Sequence, residues 1–152
     1  MEYLTKSGKR FKHFPSARYA VDVTFQQTHA PVVSFGEKRV FFSKKHALHG
    51  MKVEVSVLSN GMAINVTSAM PGSVSDITIC DSNADFHHEH LHKDGNDADA
   101  ADAGPLRAEY PESWALLVDK GYKGIHHRLR AITPIKRPPG GLLSLQDMTN
   151  AK

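Results

Sequence analysis

The sequence has a single cysteine, Cys80, among its 152 residues. One cysteine excludes an internal disulfide bond and a zinc cluster built from thiolates. The chain also lacks any apolar run of the ~18 residues that a membrane-spanning helix needs. Its first residues, MEYLTKSGKRFKHF, lack the apolar segment of a secretory signal. We therefore expect an intracellular protein without a membrane span.

The composition is that of a globular protein, with 40% hydrophobic and 23% charged residues. The length fits one domain with a proper core. We find no internal repeat and no linker that would divide the chain. The expected organisation is a basic N-terminal extension over residues 1–16 and one domain over 17–152, with an acidic loop at about 82–113.

Charge is distributed unevenly along the chain. Residues 76–112 carry ten acidic and two basic side chains, whereas residues 120–152 carry seven basic side chains and one acidic one. Such a division predicts basic surfaces near the termini that can meet phosphate, and an acidic middle that cannot. Ordinary solvated surface is the alternative interpretation of both runs.

Secondary structure is best marked in the first half. Alternating runs on both sides of Asn60-Gly61 predict a tight β-hairpin over 51–67, and Pro71-Gly72 opens a helix with Ser73 as its N-cap. β-Branched and aromatic residues predict further strands at 17–26, 39–43, 113–122 and 131–138. Short helices are expected at 123–130 and 144–152, and a disordered loop at 94–104, where large apolar side chains are absent.

Two aspartates sit near the ends of apolar strands. Asp22 lies in ARYAVDVTFQ, and Asp119 ends the run WALLVDKGYKG. If the two strands are neighbours in one sheet, the ~5 Å strand spacing brings the carboxylates together, where they repel unless a cation is shared. Mg²⁺ or Mn²⁺ would resolve this and would also bind phosphate oxygens. The structural alternative is an acid that caps the following turn or pairs with Lys120.

Three segments, ARYAVDVTFQ, HGMKVEVSVLSNGMAINVTSAMPGSVSD and LLVDKGYKG, resemble in order the DDE superfamily endonuclease domain of Harbinger-type transposases. The resemblance runs from about residue 17 to about residue 148. It implies an α/β, RNase H-like fold, in which a mixed sheet is flanked by helices, and three acids that bind two divalent metal ions. By resemblance, Asp22 matches the first acid and Asp119 the second, while Asp76 matches a recurrent acid that starts a helix or supports the site.

The C-terminal part departs from the family. The third acid of the family lies on a helix beyond the last strand, and here Asp147 is the one carboxylate after Asp119. A capping role explains Asp147 fully, so it is the weakest candidate ligand. We expect a fold that is incomplete at the C-terminus, a metal site that is weak, and a catalytically impaired enzyme. We also expect the upstream helix-turn-helix of the family to be missing, because the first predicted strand begins at about residue 17.

Basic residues follow the second acid, and the resemblance favours contacts between them and the DNA backbone. The candidates are Lys120, Lys123, Arg128, Arg130, Lys136 and Arg137. A separate DNA-binding subunit or an oligomer could complete the assembly. A nuclear location follows from the family alone.

A rival metal site is the stretch FHHEHLH, which contains His87, His88, Glu89, His90 and His92. Imidazoles suit Zn²⁺, but the H-E-x-x-H order of zinc proteases is absent. Solvated histidines in an acidic loop are the favoured interpretation.

Three functions remain open at this point. The first is a transposon-derived DNA endonuclease. The second is a non-catalytic relic that keeps DNA or partner affinity. The third is a product without stable function, because a sheet face lacking its helix would be uncovered.

Overall fold

A computed structural model describes residue 4 and residues 6–97 and 100–133 of the chain. Within them, seven strands form one mixed sheet with three α-helices. The strands are β1 (Ala17–Gln27), β2 (Phe42–Ser43), β3 (Leu48–Val57), β4 (Ala63–Val66), β5 (Met70–Pro71), β6 (Ala115–Val118) and β7 (Ala131–Ile132). The helices are α1 (Phe35–Phe41), α2 (Asp76–Ser82) and α3 (Ala84–Leu91).

The order across the sheet is β2-β3-β1-β6-β7, and β4 and β5 also pair with β3. Strand β3 runs antiparallel to β1, whereas β6 is parallel to both β1 and β7. Parallel neighbours need a crossover between them, and the long connection from β4 to β6 contains α2 and α3. The predicted α/β fold with a mixed sheet and flanking helices is confirmed.

The core lies against one face of the central strands. Tyr19 and Val21 of β1, Leu116 and Val118 of β6, and Trp114 are all buried in one cluster. No described helix is long and apolar enough to cross a membrane.

The hairpin prediction is confirmed, because β3 and β4 are antiparallel and Gly61 has φ +85° in the turn between them. The strand predicted at 39–43 is wrong over most of its length. Ser34 accepts a hydrogen bond from Glu37 N, and Glu37 accepts from Ser34 N at 3.0 Å. This capping box starts α1 and outweighs the β-propensity of the residues that follow.

Two further helix predictions need correction. The helix after Pro71-Gly72 begins at Asp76, and its N-cap is Ser75 instead of Ser73, because Ser75 Oγ accepts from Thr78 N at 3.2 Å. The helix expected at 123–130 is a 3₁₀ turn over Ile125–His127. The helix expected at 144–152 lies outside the described residues, as does the strand predicted at 131–138 beyond residue 133.

Gly50 permits close packing between β3 and β1. A Cβ on Gly50 would come against the backbone oxygen of Gln26 and lie 2.5 Å from a ring carbon of Phe25. We expect Gly50→Ala to lower the free energy of unfolding by about 1–3 kcal/mol, the usual cost of overpacking. Urea denaturation followed by circular dichroism measures this change.

Gly36 is the matched control, since nothing lies within 4 Å of the Cβ that alanine would add there. Gly36 is in α1, so Gly36→Ala should raise the free energy of unfolding by roughly 0.5–1 kcal/mol. Equal stabilities for the two variants would contradict the close approach at Gly50.

Candidate acidic site

Asp119 is the first residue after the end of β6, as expected, but Asp22 lies in the middle of β1, the parallel neighbour of β6, and so the expected position near a strand end is wrong for Asp22. Val21 of β1 pairs with Val118 of β6, and each aspartate is the next residue along its chain. Continued by one residue beyond the last pair, this register would place Asp119 about one strand spacing, ~4.8 Å, from Asp22. Side-chain alternation within β1 directs Asp22 away from the core that Val21 enters, whereas Asp119 lies in the turn beyond the end of β6.

Both aspartates are exposed and have little to neutralise them. Asp22 Oδ1 accepts a hydrogen bond from Val23 N at 2.8 Å. Among the described residues, neither Asp22 nor Asp119 forms an ion pair. The alternative of an Asp119–Lys120 ion pair is thus not present in the structure. Two facing carboxylates without a cation repel each other, which favours a shared positive ion.

Asp76 lies at the same end of the sheet, held by two lysines. Lys52 Nζ is 3.0 Å from Asp76 Oδ1 and also donates to Val74 O at 2.8 Å. Lys45 Nζ is 3.3 Å from Asp76 Oδ2. A Cβ on Gly121 would lie 3.1 Å from Asp76 Oδ2, so this carboxylate packs directly against the turn that follows Asp119. Sequence reasoning missed Lys52, although a charge between the apolar residues Met51 and Val53 of a strand is a usable signal.

Tyr122 completes that turn. Its backbone N–H donates to Asp119 O at 3.2 Å, and its buried hydroxyl lies 3.5 Å from Glu54 Oε2. Burial raises the pKa of Tyr122, and the negative charges of Glu54, Asp22 and Asp76 raise it further. The hydroxyl therefore stays protonated and serves as a hydrogen-bond donor beside these acids.

The predicted DNA-contact residues fall into three groups: exposed residues, one buried residue, and residues outside the described part of the chain. Lys120 and Lys123 are exposed immediately after Asp119. Arg128 is also exposed, but its guanidinium pairs with Asp81. Arg130 is fully buried, so its assignment to DNA contact is corrected. Lys136, Arg137 and the candidate ligand Asp147 lie outside the described residues.

Arg130 instead anchors the acidic loop. It forms a bidentate pair with Asp102, at 2.6 Å from Nη1 to Oδ2 and 2.8 Å from Nη2 to Oδ1. Lys93 Nζ adds a third contact to Asp102 Oδ2 at 2.6 Å. The disorder predicted for 94–104 is therefore wrong for the described part of the loop, because buried cations supply the partners that its sequence alone does not reveal.

The histidine-rich stretch forms α3 and is not part of a loop. His88, Glu89 and His92 are exposed on it, but His87 is fully buried. His87 Nε2 is 2.9 Å from Glu54 Oε1, and His87 Nδ1 is 2.9 Å from the Tyr19 hydroxyl. The expectation of solvated histidines is thus wrong for His87, whose partners come from β3 and β1.

Cys80 completes the surroundings of Glu54. Burial raises the pKa of the Cys80 thiol, and the nearby Glu54 carboxylate raises it further. Asn83 Nδ2 donates to Glu54 Oε1 at 3.0 Å. In the described part of the chain, Glu54, Cys80 and His87 offer ligand atoms that all lie within 4.8 Å of one another. Sequence reasoning did not bring these three residues together.

Residues 21–152 match the family described as DDE superfamily endonuclease. No match was found among curated proteins or among solved structures.

The Arg130–Asp102 pair gives a test of the anchored loop. Burial by itself would raise the pKa of Asp102, but hydrogen bonds from Arg130, Lys93 and Gly104 N hold it well below its usual range. Asp102 therefore adds stability that is complete above the unfolded-state pKa of about 3.9 and is lost as the pH falls below it. Asp102→Asn should lower the free energy of unfolding at neutral pH by about 3–5 kcal/mol, because it leaves Arg130 buried without a charge partner.

Urea denaturation over a range of pH measures both effects. The stability of Asp102→Asn should depend less on pH below about 4 than that of the wild type. Asp85→Asn, an exposed change in α3, is the control and should alter stability by less than about 0.5 kcal/mol. A wild-type-like stability for Asp102→Asn would contradict the anchoring role.

Proposed function

Because the chain belongs to the DDE superfamily endonucleases, we propose that it is a transposon-derived, divalent-metal-dependent DNA endonuclease domain of the Harbinger transposase type. Membership of this family supports three parts of the proposal: the endonuclease class, the use of a divalent metal and DNA as the substrate. The single observation that supports a site in this chain is the parallel register of β1 and β6, in which Val21 and Val118, the residues just before the two aspartates, are paired.

The two aspartates fit a hard divalent cation. Both are exposed carboxylates that follow the paired residues Val21 and Val118, and neither forms an ion pair with another described residue. Oxygen ligands of this kind suit Mg²⁺ or Mn²⁺. We assign Asp22 and Asp119 as the ligands and Asp76 as a supporting acid, because Lys45 and Lys52 already occupy its two oxygens.

In this proposal the residues of the chain orient the substrate and the acids. When bound, a divalent ion would activate a water and stabilise charge on the phosphodiester. The turn from Asp119 to Tyr122, closed by its own hydrogen bond, fixes the second acid at the end of β6. Lys120 and Lys123 extend from this turn and would contact DNA phosphates without reading the base sequence.

We further propose that cleavage by this chain alone is slow. After Asp119 the sequence has one carboxylate, Asp147, and two-metal cleavage needs both ions held firmly. This supports an alternative from another class, a non-catalytic relic that binds DNA or a partner. A nuclear location, and a separate DNA-binding subunit or an oligomer, belong to the same proposal.

Metal binding is tested first. The melting temperature of the wild type should rise with Mg²⁺ or Mn²⁺ concentration, by the equivalent of about 2.7 kcal/mol at one hundred times the Kd. Asp22→Asn and Asp119→Asn should each abolish the rise, whereas Asp85→Asn should retain it. Absence of any rise in the wild type would refute the metal site.

Cleavage is then tested by nicking of supercoiled plasmid in Mn²⁺. Slow nicking that disappears in Asp22→Asn and Asp119→Asn identifies an impaired enzyme. Metal binding without nicking identifies the relic.

DNA binding is measured by fluorescence anisotropy with a duplex of arbitrary sequence. Lys120→Ala and Lys123→Ala should each weaken binding and reduce the slope of log K against log salt by about 1, because each removes one phosphate contact. Arg128→Ala is the matched comparison, since Asp81 already engages that guanidinium. A salt slope unchanged in both lysine variants would contradict this surface.

A further inference from the structure

The buried face of β3 holds a carboxylate that has no permanently charged partner. Glu54 is 0% exposed, and its hydrogen-bond partners are His87, Asn83 and Tyr122. Among the described residues, no lysine or arginine forms an ion pair with it. A buried carboxylate is normally paired with a charge or bound to a metal, so the positive partner of Glu54 needs an explanation.

Two further ligand types face Glu54. The Cys80 thiol comes from α2 and the His87 imidazole from α3, and both side chains are fully buried. The three ligand atoms lie within 4.8 Å of one another. A tetrahedral zinc site with bonds of about 2.0–2.3 Å spaces its ligand atoms roughly 3.3–3.8 Å apart. Shifts of several tenths of an ångström up to about 1 Å would therefore convert the cluster into a coordination site.

We propose that Glu54, Cys80 and His87 bind one Zn²⁺ ion, which fastens α2 and α3 to β3. A thiolate with an imidazole favours zinc over the hard cations Mg²⁺ and Ca²⁺. On binding, Cys80 releases its proton to solvent, and the charges of one thiolate and one carboxylate balance the two charges of the ion. With both carboxylate oxygens of Glu54 bound, the ion has four ligand atoms, and the Tyr122 hydroxyl keeps its proton and donates to Glu54 Oε2.

The groups around the ligands match the outer shell of a zinc site. Zinc-bound histidines normally donate their second ring N–H to a neighbouring acceptor. The Tyr19 hydroxyl lies 2.9 Å from His87 Nδ1 and would accept that hydrogen bond once Nε2 binds the ion. Asn83 Nδ2 would hold Glu54 Oε1 from the other side. Because the site is closed to solvent, the ion has a structural role.

The test uses the full chain with Zn²⁺ and with Co²⁺ as a spectroscopic probe. Purified wild-type protein should bind one equivalent of zinc by elemental analysis, and its melting temperature should rise with zinc. The cobalt-loaded protein should show the near-ultraviolet charge-transfer band of a thiolate–cobalt bond. Cys80→Ser and His87→Gln should weaken zinc binding by more than about 100-fold and lose one ligand each, and Tyr19→Phe should weaken it by about 10–100-fold.

Two controls distinguish binding at this buried site from binding at other sites on the protein. His88→Gln alters an exposed neighbour in α3 and should bind zinc as the wild type does, which excludes surface histidines as the site. The double change Asp22→Asn with Asp119→Asn should also leave zinc binding intact, so failure of the proposed endonuclease site and failure of the zinc site are distinguishable.

If the ligand variants fail to fold, zinc uptake and the cobalt spectrum of the wild type test the proposal. A protein that takes up no zinc, or that binds it without a thiolate–cobalt band, overturns the proposal.

Discussion

The parallel pairing of β1 with β6 is the constraint on which the proposed acidic site depends. Asp22 and Asp119 are far apart in sequence, and the proposed site requires the register in which Val21 lies opposite Val118. A register shifted by one residue would turn one carboxylate to the other face of the sheet. The turn that begins at Asp119 contributes as well, because the hydrogen bond from Tyr122 N to Asp119 O ends β6 directly after the acid.

The second organising feature is the charged inner face of β3. Lys52 and Glu54 are buried there, where burial of an unpaired charge is costly. The N-terminus of α2 supplies Asp76 to Lys52, and α3 supplies His87 to Glu54. These pairs fix both helices against the strand and, through Lys52, hold Asp76 beside the turn after Asp119. The polar contacts that order the helices thus also shape the edge of the acidic site.

Several features could be predicted from the sequence because their signals are local. The β3–β4 hairpin follows from Asn60-Gly61, and β1 and β6 follow from their apolar composition. The features that sequence reasoning missed depend on long-range partners. Arg130 pairs with Asp102, 28 residues away, and His87 with Glu54, 33 residues away. The sequence does not show whether a charged side chain contacts DNA, is solvated by water or pairs with a buried counter-ion.

By itself, the sequence determined the class of fold and the DDE superfamily endonuclease family, because strand patterns and motif residues are properties of short segments. Tertiary structure alone decided which charges are buried and what neutralises them. It paired Val21 with Val118, buried Arg130 against Asp102, and gathered Glu54, Cys80 and His87 into one cluster. The physical reason is that burial and electrostatic pairing depend on distances in space, which chain separation does not specify.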